Sequence, residues 1–229
     1  MNKSNNRKNQ FLELGILAVL GLMVFFLWNT PVVYPVKLFV VLTHEISHGL
    51  AVIISGGTVF AIEINEYLGG ECLSKGGNEL LIASSGYMGS LIFGSLLFLS
   101  AYNKRMAVWS CTIISVILLL FSANFLQGGL GITLSIIYTI LLYLSPRYFN
   151  PVVNSYFLKI LASISIIYVF IDIKEDLITD RLQLSDAQLI ADATGLPALV
   201  WGLFWMFITS GAIFLLIRYG YNKGFKQVS

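Results

Sequence analysis

Residues 40–53 read VVLTHEISHGLAVI. His44, Glu45 and His48 interrupt a stretch of otherwise apolar or small side chains. Burying such groups in an apolar setting costs several kcal/mol each unless they are paired or bind a metal. The rest of the chain sharpens the problem. Of its 229 residues, 57% are hydrophobic and 11% charged, where a soluble domain carries about 25% charged residues. A surface that apolar requires lipid around it.

A helix crossing the hydrocarbon core needs about 20 apolar residues. Seven stretches qualify or come close: 11–29, 32–55, 79–100, 107–126, 129–144, 152–173 and 197–217. The fifth is short, so the prediction is an all-α polytopic membrane protein with six to seven transmembrane helices. It forms one integral membrane domain over residues 1–229, with the lipid bilayer as its solvent. The first stretch follows Lys3, Arg7 and Lys8, as a signal peptide would. Its apolar run is long, however, and WNTPVVYP follows it in place of a small-residue cleavage pattern, so it reads as an uncleaved anchor. A net charge of +2 with no basic stripe excludes a nucleic-acid partner. Cys72 and Cys111 are far apart and form no Cys-x-x-Cys pair, which indicates neither a disulfide framework nor a thiolate metal site. The sequence assigns no oligomeric state.

Two segments break the succession of spans. In residues 57–77, Phe60, Ile62 and Ile64 alternate with Ala61, Glu63 and Asn65, which is strand periodicity. Gly69-Gly70 then turns the chain into a second strand, Glu71 to Lys75, giving a small β-hairpin insertion after the second span. The second segment, residues 172–197, holds all five aspartates of the chain together with Glu175. Its portion 174–196 reads as an acidic extramembrane loop. Within it, Ser185 and Gln188 make a capping-box pattern and Gly195 and Pro197 supply stop signals, so a short helix is expected from Asp186 to Thr194.

The interrupted stretch itself spells His-Glu-x-x-His, and the chain has only these two histidines. On a helix, His44 and His48 share one face and can grip one ion. A catalytic zinc keeps three protein ligands and one water, and Glu45, about 100 degrees round from His44, is positioned as the general base beside that water. Gly49 would let another helix or a substrate come close. Two histidines leave one zinc ion short of a ligand, and with no third histidine a carboxylate is expected. Asp172 ends the apolar run SISIIYVFIDIKEDL and is the first choice; Asp176, one helical turn on, is the reserve. Gly86, Ser90 and Gly94, spaced by four, read as a packing stripe, with the helix that bears the histidines as its expected partner. Tyr87 is either a hydrogen-bond donor to a reacting oxygen or an interface anchor. Lys37 and Lys159, near span ends, are expected to snorkel.

THEISHGLAVIISGG at 43–57, a β-rich insertion, SSGYMGS at 84–90, DIKEDLI at 172–178 and SDA at 185–187 together resemble the site-2-protease clan of intramembrane zinc metalloproteases, and within it a small protease-like branch. The better-known members carry their third ligand in an Asp-Gly pair, whereas Ile173 follows Asp172 here. The resemblance implies one zinc ion between the second and sixth spans and hydrolysis of a peptide bond in a membrane-protein or peptide substrate. It also implies that an edge strand of the hairpin holds the unwound substrate; a loop that merely covers the site is the alternative. Two other functions share the motif: a non-catalytic membrane adaptor with an idle metal motif, and a metal or proton carrier.

Overall fold

The structure is a computed structural model that describes residues 3–178 and 185–224; residues 179–184, in the middle of the acidic segment, lie outside the described residues. Seven of its helices are long and apolar enough to cross a membrane: α1 (Lys3–Leu27), α2 (Tyr34–Ile54), α3 (Glu79–Ser100), α4 (Lys104–Asn124), α5 (Gly129–Tyr148), α6 (Pro151–Ile178) and α8 (Ala198–Lys223). The chain is a multi-pass integral membrane protein. A short helix, α7 (Asp186–Thr194), links α6 to α8.

Local signals set the element ends. Pro35 lies in the first turn of α2, where a missing N–H costs nothing. Asn78 and Asn103 cap α3 and α4 by accepting the N–H groups of Leu81 and Met106. α5 runs four residues beyond the expected 144, through Pro146, whose missing N–H leaves one backbone hydrogen bond of the last turn unmade. Ser185 caps α7 through the Gln188 N–H at 3.2 Å, and Gly195 ends it with φ of 71°. The Gln188 side chain bonds Asp192 at 2.7 Å, so only one half of the capping box forms.

α2 is the interior helix: 78% of its span is buried, against 17% for α1 and for α8. Its polar trio therefore faces protein, not lipid. Close approach of its neighbours depends on glycine. A Cβ on Gly49 would lie 2.7 Å from Phe121 of α4 and 3.2 Å from Ile62, so that glycine admits α4 and the sheet. The stripe on α3 divides between two partners. Gly94 meets α6, where a Cβ would stand 2.7 Å from Ile166, while Gly86 and Gly89 meet α2.

The insertion is a three-stranded sheet of order β2-β1-β3. β1 (Thr58–Ile64) and β2 (Gly70–Lys75) are antiparallel, and β3 (Leu126–Gln127) adds a short parallel pairing to Ile62 and Glu63 that the sequence did not announce. The strand alternation also shifts. The register slips between Val59 and Ala61, leaving Phe60 as an outward bulge, 57% exposed, while Val59, Ala61, Ile62 and Ile64 turn inward.

Lys159 does not snorkel. It is 4% exposed, and its Nζ lies 2.6 Å from Oε1 of Glu13, itself 1% exposed; Tyr102 donates its hydroxyl to the same oxygen at 2.6 Å. The pair joins α1 to α6. Lys37 turns back as well, onto the Trp28 carbonyl at 3.1 Å and over the Trp28 ring.

Lys159→Met leaves Glu13 buried without its cation and is expected to destabilise the protein by about 3–5 kcal/mol, with the Glu13→Gln/Lys159→Met double variant recovering most of the loss. Melting midpoints in detergent would check the order.

Candidate metal centre

His44, Glu45 and His48 sit in the middle of α2 and are 7–8% exposed. The two imidazole rings meet edge to face with centroids 4.8 Å apart. His48 donates its Nδ1–H to the Ile82 carbonyl of α3 at 2.7 Å, which turns its Nε2 lone pair inward. Both inward nitrogens converge on one oxygen: Asp186 Oδ2 lies 3.1 Å from His44 Nε2 and 3.2 Å from His48 Nε2. These three donor atoms all lie within 4.8 Å of one another, and among the described residues they form the group able to hold a metal ion. Burial alone would raise the Asp186 carboxyl, but His48 and His44 outweigh it and hold that carboxyl below the usual carboxylate range.

The two aspartates favoured by the sequence stand next to this group and outside it. Asp172 Oδ2 is 3.3 Å from Nδ1 of His44, the nitrogen on the far side of the ring. Neither of those two atoms has a hydrogen-bond partner among the described residues. Asp176 accepts the Tyr87 hydroxyl, so Tyr87, 1% exposed, is neither an interface anchor nor free to reach a reacting oxygen. The physical reason for the change is the path of the chain. The apolar run stops at Asp172, but α6 continues to Ile178, and α7 then returns Asp186 over the histidines. Asp186 carries a sequence signal, the SDA triplet, which marks the start of a capped helix and belongs to the family resemblance but assigns the residue no ligand role.

α3 lets Asp186 in. A Cβ on Gly86 would collide with the His44 ring and stand 2.7 Å from Asp186 Oδ2. From the opposite side the sheet presses on Glu45: a Cβ on Gly70, the first residue of β2, would lie 2.5 Å from Glu45 Cγ and 2.6 Å from Oε1. The trio opens into a cavity of about 380 Å³ whose lining includes Glu71, Cys72, Tyr168 and Glu175. Burial, with Glu45 and Glu71 nearby, pushes the Cys72 thiol up to about 12, so it is a neutral thiol at physiological pH.

Comparison with known proteins agrees with the resemblance carried by the motifs. The family model described as Peptidase M50B-like matches residues 17–216, and the chain belongs to that family. No curated protein and no solved structure matches the chain.

Gly86→Ala is expected to weaken binding of zinc, used as the probe ion, by about 10- to 100-fold, measurable by competition with a chelator. Alkylation of Cys72 at pH 8.5 is expected to run at least about tenfold slower in the native protein than after unfolding, because the raised pKa keeps the thiolate scarce. Equal rates would contradict the environment described for that thiol.

Proposed function

We propose that this M50B-like protein is a membrane-embedded zinc metallopeptidase that hydrolyses a peptide bond of a membrane-associated protein. One observation carries the reading: two imidazole nitrogens and a carboxylate oxygen converge at one point beside a glutamate, at the wall of a cavity. The donor set fits zinc. Ligands at about 2.0–2.2 Å in a tetrahedral site lie roughly 3.3–3.5 Å apart, close to the 3.1 and 3.2 Å between Asp186 and the two histidines. Two histidines and one carboxylate also leave a fourth position open, as catalytic zinc requires.

His44, His48 and Asp186 are the proposed ligands. Asp172 Oδ2 and His44 Nδ1, 3.3 Å apart and each otherwise unpartnered among the described residues, are proposed to pair in the metal-loaded protein, which fixes the tautomer that presents Nε2 and makes the imidazole a better donor. Zinc held there supplies Lewis acidity to an amide carbonyl and to water. Glu45 takes the proton of the attacking water as its oxygen bonds to the carbonyl carbon, then gives that proton to the amine as the C–N bond breaks. Substrate positioning falls to β2. It is an outer strand of the sheet, and its first residue leaves no room for a side chain beside Glu45. An extended substrate segment can add to that edge by backbone hydrogen bonds, which brings its amide to the cavity.

The test is zinc analysis of the detergent-purified protein beside cleavage of a reporter span. Glu45→Gln is expected to keep its zinc and to lose about 10²- to 10⁴-fold in cleavage rate, while His48→Ala and Asp186→Asn lose the metal. Zinc bound at one equivalent with no Glu45-dependent cleavage would replace the peptidase with an idle metal motif.

A further inference from the structure

Asp186 is the first residue of a nine-residue helix, and the two histidines it meets lie on α2, 142 residues earlier in the case of His44. Metal affinity depends on holding ligand atoms within about 0.5 Å of their working positions. A helix of two and a half turns has little rigidity of its own. Something must therefore fix the start of α7.

We propose that Tyr87 and Asp176 form a latch that sets the position of Asp186, acting as positioning residues for the metal centre. The inference rests on the reading of His44, His48 and Asp186 as the ligands. Three elements meet at Oδ2 of Asp176. The Asp176 side chain comes from α6, and the Tyr87 hydroxyl donates to it from α3. The backbone N–H of Ala187, next to Asp186, points at the same oxygen from 3.5 Å. A carboxylate at a helix N-terminus meets unsatisfied N–H groups and the positive end of the helix dipole, so Asp176 acts as a cap supplied from another helix. Tyr87 is fully enclosed, its ring centroid 6.3 Å from that of His44 and 6.5 Å from that of Trp205. Its neighbour Gly86 makes the gap through which Asp186 reaches His44. One turn of α3 thus provides both the opening for the ligand and the donor that ties its helix down. The far end of α7 is held separately, by the Trp201 Nε1–H on Thr194 Oγ1 at 2.9 Å.

The experiment uses the full chain in detergent micelles, with zinc as the probe and affinity read by chelator competition; melting midpoints of the zinc-free protein are recorded alongside. A latch gives about tenfold weaker zinc binding for both Tyr87→Phe and Asp176→Asn. The double variant then falls within about threefold of the weaker single, because the two residues act through one contact. If instead Asp176 is itself a ligand, Asp176→Asn matches Asp186→Asn while Tyr87→Phe binds zinc like the wild type, and the latch is overturned. Lower zinc-free midpoints with unchanged zinc affinity also overturn it, in favour of a packing role. The Asp186→Asn arm separates the two levels. If that variant binds zinc as the wild type does, the ligand assignment fails; if it loses zinc while both latch variants keep it, the latch alone fails.

Discussion

One carboxylate oxygen shared between two imidazoles, inside a bundle made mostly of hydrocarbon, is the interaction around which this protein is arranged. Each partner would be costly there alone. Together they form a compact cluster whose charges offset one another, and low dielectric strengthens that offset. The requirement explains why α2 is mostly enclosed by protein while α1 and α8 remain largely open to lipid. A polar helix in a membrane has to be the central one.

Enclosure of α2 is achieved by removing side chains more than by adding them. Gly86 and Gly89 bring α3 onto it, Gly49 admits α4 and β1, and Gly70 sets the edge of the sheet against Glu45. Without a hydrophobic force between helices in lipid, close backbone approach is a main source of cohesion. Here the same approach shapes the chemistry, because two of those glycines touch residues of the polar group itself. The margin for substitution at them is correspondingly small.

Much of this was legible in the linear chain. Hydropathy marks the spans, because each is a long apolar run bounded by Pro, Gly, Asn or charge. The His-Glu-x-x-His spacing marks the face of α2, because four residues make just over one helical turn. Other features depend on contacts between distant residues. Asp172 and Asp186 are equally acidic in sequence, and only the return of α7 separates the one facing Nδ1 from the one facing Nε2. Lys159 looks like a snorkelling residue until Glu13 is found beside it. Phe60 shows the alternation expected of an inward position, but a one-residue bulge turns it outward.

The pairing of Glu13 with Lys159 bears on how the molecule is made. The two are 146 residues apart in sequence. A growing chain therefore delivers α1 to the bilayer long before α6 exists. Through that interval Glu13 lacks the cation it pairs with in the folded bundle, and lipid alone is a poor host for a charged carboxylate. The contact that ties Glu13 of α1 into the bundle is therefore completed only after α6 has been made.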